Sequence, residues 1–128
     1  MITAGQKLPT RTVGPLTRTD FVRYQGASGD MNPIHHDELV AKAAGYEAPL
    51  AVGMFHAGLM AAHAAEQLGP ENVRKTRIRW SEQVWPGDVL TITGEVTAVK
   101  DGVADVEVTC TRQTGTVAVK VWMTFATT

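Results

Sequence analysis

The pattern of apolar positions changes once along the chain, near residue 70. Before that point one segment stands out. From Gly53 to Leu68 small and apolar residues occur nearly all round a helical wheel, and the Ala content favours helix. A helix of that kind is wrapped by protein rather than laid on a wet surface. Gly69-Pro70 ends it. After residue 70 the period shortens towards two. Val73 to Val84 contains a strand, Pro86-Gly87-Asp88 a turn, and Val89 to Val99 a second strand with partial alternation. Lys100-Asp101-Gly102 is a hairpin signal. In Val103 to Thr111, Val106 and Val108 oppose Glu107 and Thr109. Thr114-Gly115 turns the chain into a last strand, Val117 to Phe125.

The first half is less regular. Residues 1–18 read as an irregular arm with a short strand near Arg11-Thr12-Val13, limited by Pro9, Gly14 and Pro15. Thr19 is placed to cap a short helix from Asp20 to Gln25, and Phe21 and Tyr24 share a face of it. Residues 26–36 are rich in Gly, Ser, Asp, Asn and Pro, the composition of a loop. A second short helix starts at or near Asp37 and runs through Ala44, with Gly45 at its end. Residues 46–52 form another loop.

One long apolar helix followed by an antiparallel meander predicts an α+β fold, a curved sheet wrapped around the helix, with residues 1–128 as one domain. Free sheet edges need cover, and a dimer that continues the sheet would supply it.

Charge and composition then narrow the partners. Net charge is -1 and no basic stripe appears, so nucleic acid is not an expected partner. The N-terminus lacks a charged-then-apolar signal pattern, and no apolar run approaches the roughly 20 residues of a membrane helix. Cys110 is the only cysteine, which excludes an intrachain disulfide and fits a reducing cytoplasm.

The candidate chemistry lies in the loop Gly29-Asp30-Met31-Asn32-Pro33-Ile34-His35. Asp30 and His35 do not have helix-face spacing, and Pro33 keeps Asn32 out of the helical region. The segment therefore bends, and a bend can bring the two side chains toward one water. The Asn32 amide can hold the turn or orient that water. A helix starting at Asp37 puts its positive end beside His35, which favours the neutral imidazole. On spacing alone, the same residues also describe an ordinary turn.

The longer string decides between these. Tyr24-Gln25-Gly26-Ala27-Ser28-Gly29-Asp30-Met31-Asn32-Pro33-Ile34-His35-His36-Asp37 closely resembles the hydratase-2 motif of the MaoC-like family. That family comprises (R)-specific enoyl-CoA hydratases and (3R)-hydroxyacyl-thioester dehydratases. Gly53-Met54 resembles its His-Gly-Met turn, with Val52 in the place of the His. Arg79-Trp80 to Pro86-Gly87-Asp88 resembles its strand leading into a Pro-Gly-Asp turn. The resemblance spans roughly residues 8–126. It implies a single hotdog fold and a homodimer, or a heterodimer with another hotdog subunit, with sites near the subunit interface. It also implies Asp30 and His35 as the catalytic pair, Ser28 and Asn32 as supporting residues, and the Gly53 N–H as the holder of the thioester carbonyl oxygen. The implied substrate is a coenzyme A or acyl-carrier thioester, and no cofactor is implied. Since this chain has the acid/base pair, it is similar to the catalytic subunit of mycobacterial-type fatty acid dehydratases.

Hydration of a trans-2-enoyl thioester to the (3R)-3-hydroxyacyl thioester, and its reverse, is the leading expectation. A hotdog thioesterase is one alternative, distinguished by release of free thiol. A non-catalytic subunit of a heterodimeric dehydratase is the other. His56 and His63 share a face of the long helix, but no Cys, Asp or Glu completes a metal set, so no metal is expected. His56, near the Gly53 turn, is a candidate pocket residue, with core packing the plainer reading. Arg74, Lys75, Arg77 and Arg79 read as a solvated face, with coenzyme A phosphates or an acidic carrier surface as the functional alternative.

Overall fold

The computed structural model describes residues 1–127. Five strands form one antiparallel sheet: β1 (Lys7–Val13), β2 (Val73–Trp80), β3 (Leu90–Lys100), β4 (Val103–Arg112) and β5 (Val117–Ala126). Three helices accompany them: α1 (Arg18–Ser28), α2 (Glu38–Ala43) and α3 (Gly53–Leu68). Single 3₁₀ turns cover Pro33–His35 and Pro70–Asn72. This is the expected single hotdog, a sheet curved over a central helix.

Helix α3 has the predicted bounds. Its buried face is His56, Ala57, Met60, His63, Ala64 and Leu68. It meets a sheet face supplied by Ile92, Val96, Val106, Val108, Val119, Val121, Met123 and Phe125, all buried. Alternation on β4 and β5 puts these residues inward and Glu107, Thr109, Lys120 and Trp122 outward. The wrapping expected all round α3 is confined to one side, because Met54, Ala62, Glu66 and Gln67 remain exposed.

The strand order is β1-β3-β4-β5-β2. The meander holds for β3 to β5, but β2 pairs with β5 instead of its sequence neighbour β3. The long connection after Trp80 carries the chain across the sheet, which leaves β2 as an edge strand with mostly exposed residues.

Two local expectations are corrected. β1 begins at Lys7, not near Arg11; its pairing with β3 is interrupted between Leu8 and Arg11. An edge strand tolerates Pro9 at such an irregularity because a missing N–H there breaks no regular ladder. Helix α1 runs longer than Asp20 to Gln25, and its cap is Thr17, not Thr19. The Thr17 hydroxyl accepts from the Asp20 N–H (3.1 Å), and the Asp20 carboxylate accepts from the Thr17 N–H (2.8 Å). This reciprocal box satisfies two otherwise unpaired donors. The second short helix matches the expectation, with Asp37 as its cap.

Candidate active site

Helix α1 ends at Gly29, whose φ of 79° is the left-handed conformation that glycine adopts freely. The loop that follows is tied to itself. The Asp30 N–H donates to the Ser28 hydroxyl (3.3 Å), and the Asn32 N–H donates to the Asp30 carboxylate (3.2 Å). Asn32 is extended, with ψ of 119°, as Pro33 requires. Its side-chain oxygen accepts from the Ile34 N–H (3.1 Å) and caps the Pro33–His35 turn. Asn32 thus holds the turn, one of its two expected roles.

The strongest tie was not expected from sequence. Gln25, 2% exposed, donates from its amide to the carbonyls of Asp30 and Asn32, each at 2.9 Å. Its amide oxygen accepts from Nδ1 of His36 (2.9 Å). Gln25 lies one helical turn beyond buried Phe21, so its polar head is carried inward among apolar groups and must be paired there. A buried Gln at a core-facing position ahead of a Gly-rich loop was the available signal.

His35 is buried at 9% exposure, while Asp30 and Ser28 are exposed. Nδ1 of His35 lies 2.7 Å from the Leu50 carbonyl oxygen. A carbonyl can only accept, so Nδ1 carries the proton and Nε2 keeps a lone pair in the neutral ring. This contact fixes the ring more directly than the expected helix end, since α2 has only six residues and begins after a 3₁₀ turn. No direct hydrogen bond joins Asp30 to His35 among the described residues.

The segment after Leu50 leads to α3. The Ala51 N–H donates to the Val84 carbonyl (2.9 Å), and Val52 precedes the first helical residue, Gly53, with no side-chain cap. Among the described residues no acceptor meets the Gly53 N–H. The packing around residue 53 gives glycine a reason of its own. A Cβ at residue 53 would lie 2.9 Å from the Trp80 indole nitrogen, and that indole donates to the Gly53 carbonyl (2.9 Å). Phe55 joins this region to α1, stacking edge-on against Phe21 (6.2 Å) and Tyr24 (5.6 Å).

The remaining candidates separate from the loop. His63 donates from Nε2 to the Pro9 carbonyl and ties α3 to β1. His56, 2% exposed, has no partner on either ring nitrogen. Burial pushes its pKa down to about 4, against a partial opposing pull from Asp88. No cluster of three His, Cys, Asp or Glu suited to a metal occurs among the described residues. Cys110 is buried and its thiol is pushed up to about 11, first by burial and then by Asp88, which removes a ready nucleophile. Of the basic group, Arg77 stacks on Trp122 at 4.6 Å and Arg74 donates to the carbonyls of Glu71 and Val73. Asp88, in the Pro86-Gly87-Asp88 turn, is a buried anchor. It accepts from Arg112 Nε (2.8 Å), Arg112 Nη2 (3.1 Å), Gln113 (2.8 Å) and the Trp85 N–H (2.9 Å). Burial alone would raise its pKa, but these donors together hold it below the usual carboxylate value.

Comparison with known proteins agrees with this fold. The family described as MaoC like domain matches residues 2–118. The chain belongs to the MaoC-like family. Among the relatives of this MaoC-like chain is the peroxisomal hydratase-dehydrogenase-epimerase of Saccharomyces cerevisiae, 31% identical over 86 residues. That match covers 67% of this chain and 9% of the yeast protein, which is far longer. The ChsH1-ChsH2 complex from Mycobacterium tuberculosis gives a TM-score of 0.89 at 26% identity, covering 98% of both chains. The unliganded R-hydratase PhaJ1 of Pseudomonas aeruginosa gives 0.86 at 25% identity, covering 98% of this chain and 81% of that one. No helix among the described residues of the MaoC-like chain is long and apolar enough to cross a membrane.

Proposed function

We propose that this chain catalyses reversible addition of water to a trans-2-enoyl thioester, giving the (3R)-3-hydroxyacyl thioester. The observation that carries the reading is the His35 tautomer. With Nδ1 donating to Leu50, the Nε2 lone pair is the ring's free base, on the same self-bonded loop as the Asp30 carboxylate. In the hydration direction one of this pair takes a proton from water as its oxygen bonds to C3. The C2–C3 π electrons move toward the thioester carbonyl, and a proton is delivered to C2 from the pair. The carbonyl oxygen gains negative charge, and the Gly53 N–H, backed by the dipole of a 16-residue helix, is the donor for it. Dehydration is the same path reversed. The yeast and Pseudomonas relatives are hydratases by name, which supports this reaction class.

The exposure of Asp30 and Met31 and the free edge of β2 support assembly with a second hotdog subunit, either a second copy or a different chain. The ChsH1-ChsH2 neighbour is such a complex of two chains. The acyl carrier, whether coenzyme A or a carrier protein, belongs to this proposal as the substrate's leash.

The test is hydration of crotonyl-CoA and longer enoyl-CoAs, followed by loss of the enoyl absorbance, with product stereochemistry determined. Asp30→Asn and His35→Ala should each lower kcat by about 10²–10⁴. Undiminished rates in both variants would sink the proposal. Release of free thiol without water addition would identify a thioesterase instead.

A further inference from the structure

Among the described residues, His56 is the one buried side chain whose polar atoms find no partner. Both ring nitrogens are shielded from solvent and neither has a partner; among the described residues they are the only buried side-chain polar atoms without one. A buried polar group left bare costs free energy that a Leu at the same place would not, so its presence calls for a reason. His63, on the same helix face, shows the usual solution, since its ring is paired with the Pro9 carbonyl.

The place of His56 suggests what completes it. It lies three residues after Gly53, on the same face of α3, one turn from the helix start. Cα–Cβ bonds in a helix tilt toward the N-terminus, so the His56 side chain is directed over the turn that holds Gly53. Gly53, His56, Trp80, Ser81, Glu82 and Gln83 together line a cavity of about 300 Å³. The Trp80 indole N–H is already used on the Gly53 carbonyl, so it is not the spare donor. Burial keeps the ring neutral at ordinary pH, and a neutral imidazole still has one N–H to give.

We propose that the His56 ring turns toward this cavity when a thioester binds and donates a second hydrogen bond, beside the Gly53 N–H, to its carbonyl oxygen. A neutral imidazole suits this position, because it stabilises the developing enolate oxygen without transferring its proton to it. The inference rests on the hydratase reading for its substrate, but its test need not rest on turnover.

Two measurements decide it. The first is kinetic: His56→Leu should fold and be at least as heat-stable as the parent, because it removes a bare polar group, yet lose about a hundredfold in kcat. His56→Gln, which restores an N–H donor, should recover much of that loss. The second is infrared difference spectroscopy of ¹³C-carbonyl butyryl-CoA, a saturated thioester that cannot react. Its carbonyl stretch should fall on binding to the parent and to Asp30→Asn, and fall less with His56→Leu. A parent-bound stretch at the free value, or the same shift in His56→Leu, overturns the role of His56. If the parent fails to hydrate any enoyl-CoA, the hydratase reading falls, while the carbonyl shift still decides whether His56 meets a thioester oxygen.

Discussion

The loop from Gly29 to His36 and the first turns of α3 spend their polar groups in opposite ways. In the loop nearly everything is paired within the chain. Ser28, Asp30, Asn32, Gln25, His36 and Leu50 supply the partners, and His35 keeps one free nitrogen. At the start of α3 the donors are left bare among the described residues: Val52 gives no cap, the Gly53 N–H meets no acceptor, and His56 has no partner. The first arrangement fixes a side chain before anything binds. The second keeps donors available for the substrate oxygen of the proposed reaction. A held imidazole and unspent donors are the two kinds of group that the proposed acid-base chemistry at a carbonyl requires.

Three perturbations probe this contrast. The largest effect is expected from acid. The His56 imidazole binds a proton in the unfolded chain below its ordinary value of 6.5, but in the folded chain only near pH 4. Between these values the unfolded state holds more protons, so stability is full above about pH 6.5 and falls as pH drops toward 4. The loss is on the order of 3 kcal/mol. Urea titrations across that range should show it, and His56→Leu should flatten this part of the profile. An unchanged profile would mean that His56 is not the bare, desolvated group described here.

Next is Gln25→Leu, which keeps the core apolar but unclamps the loop. Two carbonyls and His36 lose their partner, for a cost of about 2 kcal/mol. Thermal unfolding would register this, and kcat should fall more than KM rises because the loop carrying the proposed acid-base pair is no longer clamped to α1. The smallest effect is Asn32→Ala, which removes a single cap from the Pro33–His35 turn and should cost about 1 kcal/mol. If Asn32→Ala proved costlier than Gln25→Leu, the loop would be held from within its own motif instead of from α1.

The same division shows what the sequence could reveal. Helix α3 was legible to its end residues because Ala content and Gly69-Pro70 are local signals. The loop was legible because its internal pairs lie two residues apart and its string matches a known motif, whereas its ties to Gln25 and Leu50 were not. Thr17 and Thr19 flank the start of α1, and only the reciprocal bond with Asp20, three residues after Thr17, selects the former. What escaped is non-local. The Trp80 contact with Gly53 spans 27 residues, and the Asp88 anchor reaches Arg112 and Gln113 on the far side of a hairpin. The place of β2 beside β5 escaped too, since β-rich segments announce that they pair but not with which strand. His56 was visible as a candidate, but its lack of any partner is a property of the packed core alone.

The run from Leu50 to Gly53 has a further consequence. Leu50 holds the imidazole, and Gly53 offers the first amide of α3. Only three residue steps separate them, a reach of roughly 10 Å in covalent chain. The carbonyl that holds the proposed base and the proposed oxyanion donor can therefore lie no farther apart than that length. A deletion or insertion within 50–53 would change that length directly, so this short stretch should tolerate changes of side chain far better than changes of residue number.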